Sequence, residues 1–143
     1  MKIQVCSIKE PVTIKVNGKA MAGYKISFTS SIVAGDAILF TADVNHPQNV
    51  IGRNFYVELS WERLDGMVQA RQGVANGIYA LSDAGTYHVC GVVDQVASDG
   101  VAIIVVVPNS LFLPITVPLS IHLEPGGRVE FDIYDLSLWD EKF

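Results

Sequence analysis

Only two cysteines, Cys6 and Cys90, occur in 143 residues, and neither lies in a CxxC or Cys/His spacing. That scarcity excludes a disulfide framework and a cysteine-based zinc site, and leaves buried thiols as the ordinary expectation. No apolar run approaches the ~18 residues that a membrane-spanning helix needs. The longest, residues 101–107, is strand-sized. The opening residues Met1-Lys2-Ile3-Gln4-Val5 alternate without the apolar block of a signal peptide, so a cytoplasmic chain is expected. Charged residues make up 17%, below the ~25% usual in soluble domains. A shortfall of this kind implies a thick core or an apolar surface covered by a partner. Also missing are an amphipathic helix of ten or more residues, a repeat of fixed period, and the glycine-rich phosphate loops GxGxxG and GxxxxGK[ST].

Alternation is what the chain has in quantity. Val12, Ile14 and Val16 alternate with Thr13 and Lys15, and Asn17-Gly18 follows at once. Both turn residues tolerate the positive φ of a type I′ turn, so a hairpin is expected there. Tyr24, Ile26 and Phe28 mark the next strand, Ala34-Gly35-Asp36 reads as a turn, and residues 37–44 form a strand with Ile38, Phe40, Ala42 and Val44 on one face. Phe55, Val57, Leu59 and Trp61 share the face of another. Asp65-Gly66 is a second hairpin candidate, leading into residues 67–71, and Asp99-Gly100 a third. The third would pair Ser98 with Val101 and Val93 with Val106. Residues 118–124 read as a less regular stretch, a short helix or a loop. Val129, Phe131 and Ile133 share a face, while Leu136 and Leu138 fall on the opposite parity, as a bulge near Tyr134-Asp135 would produce. About ten short strands at hairpin spacing predict one all-β domain over residues 1–143, a compact antiparallel barrel or sandwich.

From Gly85 onward the order of elements resembles an OB-fold. The features are a long strand with a glycine in its middle (Gly91), the Asp-Gly turn, a second strand, a third at 112–117, a connector, and a fourth launched by Gly127. The resemblance covers about 55 residues, gives an OB-like C-terminal half, and leaves Leu136–Trp139 as the one fifth strand in sight, so closure calls for a strand from the N-terminal half. It implies binding of single-stranded nucleic acid or oligosaccharide.

Chemistry is sparse. His88 and Cys90 share a strand face, but a thiol nucleophile needs an orienting third group, and the sequence shows none. Glu130 and Asp132 look like a solvated face, and His46 and His122 have no ligand-spaced neighbours. No catalytic residue, metal site or cofactor is expected, and the chain does not read as an enzyme. Residues 1–25 carry a balance of +4 and the remainder −9, which can steer one subunit onto another. The run 101–107 is apolar on both faces, so one face would meet a partner. The expected function is a non-enzymatic interaction module with a protein partner, a second copy foremost. Its contact residues would be Val101, Ile103, Val105 and Val107, with Lys15, Lys25 and Tyr24 as a secondary basic surface. An OB-like binder of nucleic acid or sugar is the alternative.

Overall fold

The structure, a computed structural model, describes residues 1–42, 45–99, 102–108, 110–117 and 121–143. Its first two strands, β1 (Lys2–Val16) and β2 (Lys19–Ser30), form the hairpin predicted at Asn17-Gly18, whose φ values are +50° and +78°. The following turn falls at Ser31-Ile32, earlier than predicted, because the Ser30 hydroxyl accepts the N–H groups of Ile32 and Val33. Ala34-Gly35-Asp36 accordingly belongs to β3 (Ala34–Phe40), and Val44 lies outside the described residues. β4 (Asn54–Ser60) follows.

β5 (Arg63–Gln69) contains Asp65-Gly66, which does not turn the chain. The pair builds a bulge instead, with Gly66 at φ +66°, where the register against the partner strand slips between Glu130 and Asp132. Beyond it come β6 (Gly77–Ala80), β7 (Tyr87–Val96), β8 (Ala102–Val107), β9 (Leu111–Thr116), β10 (Arg128–Tyr134) and β11 (Ser137–Asp140). The predicted β7–β8 register holds next to the turn, where Val96 faces Ile103, and shifts by one beyond a bulge, where Val93 faces Val105. Gly100 and Val101 lie outside the described residues, as do Asn109 and residues 118–120.

Among the described residues, eleven strands make an all-β protein of two sheets, a closed barrel β1-β2-β3-β11-β4 and an open sheet β5-β10-β7-β8-β9 with β6 beside β7. The closed five-stranded barrel is made by the N-terminal strands β1–β4 together with β11, while the other strands after Gly85 lie in the open sheet. Leu136 and Leu138 change parity because the chain leaves one sheet and enters the other. No bulge is involved, and Asp135 makes the corner at φ +56°.

The two sheets repeat one plan. The barrel runs β3-β2-β1-β4 and the open sheet β9-β8-β7-β10, so each holds three successive strands with the fourth against the first. Even the bulges correspond: between Val5 and Ser7 in β1, and between Val93 and Gln95 in β7. The fifth strands are traded. β5 follows β4 in sequence but pairs with β10, and β11 follows β10 but pairs with β4. The exchange crosses at two short links, Trp61-Glu62 and Asp135-Leu136. Closure distinguishes the sheets: β11 also pairs in parallel with β3, whereas among the described residues no ladder joins β5 to β9.

Buried side chains of both sheets form one connected core, including Val5, Ile26, Leu39 and Leu138 from the barrel and Val89, Val105, Leu113 and Phe131 from the open sheet. Each large side chain of this kind contributes roughly 1.5–3 kcal/mol by leaving water. At the junction the Tyr87 hydroxyl donates to the Asp36 carbonyl at 2.6 Å, and a Cβ on Gly35 would strike the Tyr87 ring. At Gly91 β7 lies close against β8: a Cβ there would lie 2.6 Å from Val105 and 2.7 Å from the Val106 carbonyl. No helix among the described residues is long and apolar enough to cross a membrane.

Candidate functional site

The outward face of the open sheet divides into a polar and an apolar half. Strand alternation sends Tyr87, Val89 and Val93 of β7 into the core and His88, Cys90 and Val92 outward. β10 sends Val129, Phe131 and Ile133 inward and Arg128, Glu130 and Asp132 outward, opposite Val92, Cys90 and His88 respectively.

Glu130 is not on a solvated face. It is buried beneath residues 70–76, accepting the Arg71 backbone N–H at 2.8 Å and the Arg71 side chain through Nε and Nη2, both at 2.8 Å. That backbone N–H, and then the guanidinium, hold its carboxyl below the usual range against the opposing effect of burial. His88 lies between two carboxylates, with Nδ1 2.6 Å from Asp132 and Nε2 3.3 Å from Glu130. The Cys90 sulfur is fully buried and meets other groups: Arg128 at 3.3 Å and the Asn76 side-chain amide oxygen Oδ1 at 3.7 Å. Arg128 also donates to Asn76 and to the Val74 carbonyl. His88 therefore faces acids and Cys90 faces an amide and a guanidinium. Glu130 through Arg71, and Arg128 and Cys90 through Val74 and Asn76, pin the 70–76 segment over the sheet.

The other half of the face is apolar. Val92, Val106 and Phe112 form one cross-strand row, and Ile104 and Pro114 pair in the next. Val92, Ile104 and Val106 are half-buried, and Phe112 is 55% exposed. Residues 102–117 contain no charged side chain.

The predicted contact residues sit differently. Ile103, Val105 and Val107 are in the core, at most 3% exposed, because the chain's own barrel and connectors cover that side of β8. Val101 lies outside the described residues. The outward-facing parity of β8 is that of Ile104 and Val106, opposite to the residues expected. Tyr24 is buried in the barrel, and Lys25 is exposed with its ammonium 2.7 Å from Glu10. Lys15 is exposed at a different place, the far end of the β1–β2 ribbon, so the structure does not gather the three into one basic patch.

That ribbon extends past β3 and borders a groove of about 570 Å³ with the barrel wall. Ile14, Val16 and Ile38 give it apolar sides, and Trp61 and Trp139 project into it from the two strand-exchange regions. Trp139 stacks on the buried Phe40 at 4.2 Å and donates from Nε1 to Ser60 at 2.8 Å. Sequence reasoning missed this groove. The signal available was that Trp61 lies in one strand-exchange link and Trp139 three residues beyond the other, which is visible only once the exchange is known. Among the described residues no group of three or more His, Cys, Asp or Glu is placed to hold a metal ion. No protein-family model, curated protein or solved structure matches the chain.

Proposed function

We propose that the chain is a non-enzymatic β interaction module acting through protein–protein contacts, and that its partner is a second copy of itself. The observation that carries this reading is the uncharged apolar face of β8 and β9 around Phe112. A two-fold interface brings a patch against its own copy, so any charge on it would meet a like charge. This face has none to repel. Contact is by side chains and not by an added strand, because Pro114 in β9 removes a backbone donor from that edge.

The OB-like relation belongs to the same proposal. It is supported by the closed five-stranded barrel, a form of that class, although here built from β1–β4 and β11. A cytoplasmic setting is part of it too, in keeping with two cysteines that remain free thiols.

Sedimentation velocity over a wide concentration range tests the reading. The wild-type chain is expected to form a dimer, and Phe112→Lys and Ile104→Lys to leave folded monomers. A wild-type chain that stays monomeric at its highest attainable concentration defeats the proposal.

A further inference from the structure

Both tryptophans of the chain border one groove, although they come from opposite ends of the strand exchange. Four segments build it: the ribbon end, β3 through Ile38, the link leaving β4, and the link entering β11 with that strand itself. Its volume of about 570 Å³ lies within the roughly 300–1,000 Å³ of small-ligand sites. Trp139 is fixed from behind by Phe40 and at its Nε1 by Ser60, so ordering that ring on binding costs little.

The polar groups around the two indoles decide the ligand class. Asn17 supplies an amide, Ser137 a hydroxyl, and Glu62 and Asp135 two carboxylates, against the single ammonium of Lys15. Trp139 also borders a second hollow lined by Glu58, Asp140 and Glu141, which adds negative charge on that side. A phosphate chain would be repelled here, since binding it relies on cations. A ligand with apolar C–H faces and a rim of hydroxyl donors matches the arrangement. Indole rings supply flat apolar surface, and carboxylates and amides accept and exchange hydroxyl hydrogen bonds.

We propose that this groove is a binding site for a neutral oligosaccharide, with Trp61 and Trp139 as stacking surfaces and Asp135 and Glu62 as hydroxyl acceptors. The site lies on the barrel and does not depend on self-association through β8 and β9.

Because both tryptophans line the groove, intrinsic tryptophan emission reports its occupancy directly. The experiment titrates the full chain with neutral glucose, mannose and N-acetylglucosamine oligomers at low and moderate salt. A saturable, salt-independent emission change with at least one of them is expected. Trp61→Ala and, separately, Asp135→Asn should each weaken that binding about tenfold or more, the loss of one good contact. Asn tolerates the positive φ of residue 135, so the second variant leaves the corner unstrained. Phe112→Lys should leave sugar binding unchanged. The proposal is overturned if every oligomer leaves the emission unaltered, or if binding survives both groove variants. It is overturned equally if the emission responds only to single-stranded oligonucleotides, in a manner that weakens with salt.

Discussion

The barrel and the open sheet share a strand order and a bulge position, yet one is closed and the other is not. In the barrel, β11 pairs with β4 on one side and β3 on the other. In the open sheet β5 holds the same place beside β10 and reaches no further partner among the described residues. Closure consumes both edges of a barrel strand, whereas an open sheet must protect its edges by other means. Pro114 does this on β9. The comparison separates two uses of one plan: a closed unit whose outer wall carries a groove, and an open unit that presents a face.

The sharpest way to break the comparison is a proline in the closing strand. Leu138→Pro removes a ladder donor from a strand paired on both sides and leaves a buried acceptor unsatisfied, roughly 1–3 kcal/mol, in addition to losing part of the Leu138 burial, worth about 1.5–3 kcal/mol. Urea melts should show the variant largely unfolded, while wild-type β9 tolerates its own Pro114. Next in size is Gly91→Ala, whose new methyl meets a Val105 methyl and the Val106 carbonyl. It should lower stability by roughly 1–3 kcal/mol. Gly66→Ala meets no atom within 4 Å but keeps φ +66°, so only backbone strain of about 1 kcal/mol is expected. The pair tests whether close packing at β7–β8 or the β5 bulge matters more to the open sheet.

The smallest effect expected is on the acid limb. Glu130, and Asp36 beside Lys9 at 2.8 Å, have carboxyls held below their ordinary values in the folded chain. Their stabilisation is complete above the ordinary carboxylate range, near pH ~4 to 4.5. It is lost as pH falls from there through the lowered folded values. Thermal melts from neutral pH downward should show wild type declining below that range, and Glu130→Gln less stable at neutrality but flatter in acid. An equally steep acid limb in Glu130→Gln would assign the pH dependence to other groups.

Much of the strand content was legible because alternation depends on near neighbours. Asn17-Gly18 sets its hairpin through the φ values of two residues, and Tyr24, Ile26 and Phe28 point inward whatever they pack against. Asp65-Gly66 misled for a related reason. The same dipeptide that turns a hairpin also supplies the positive φ of a bulge, and only β10 lying alongside decides which. Glu130 looked solvated because strand parity places it outward. That Arg71, 59 residues away in sequence, covers it is a fact of the fold.

By itself the sequence determined an all-β chain, the approximate place of most of its strands though not of β6, the parity of most side chains and the near-turn register of β7 and β8. The tertiary structure alone decided which strand closes which sheet, which face of β8 is buried, and that two tryptophans meet at one groove. Strand identity is written in period-two alternation and turn residues, which act over a few positions. Partner choice between β5 and β11 is a long-range matter, since either strand offers compatible hydrogen-bonding edges and only the packing of the whole core distinguishes them.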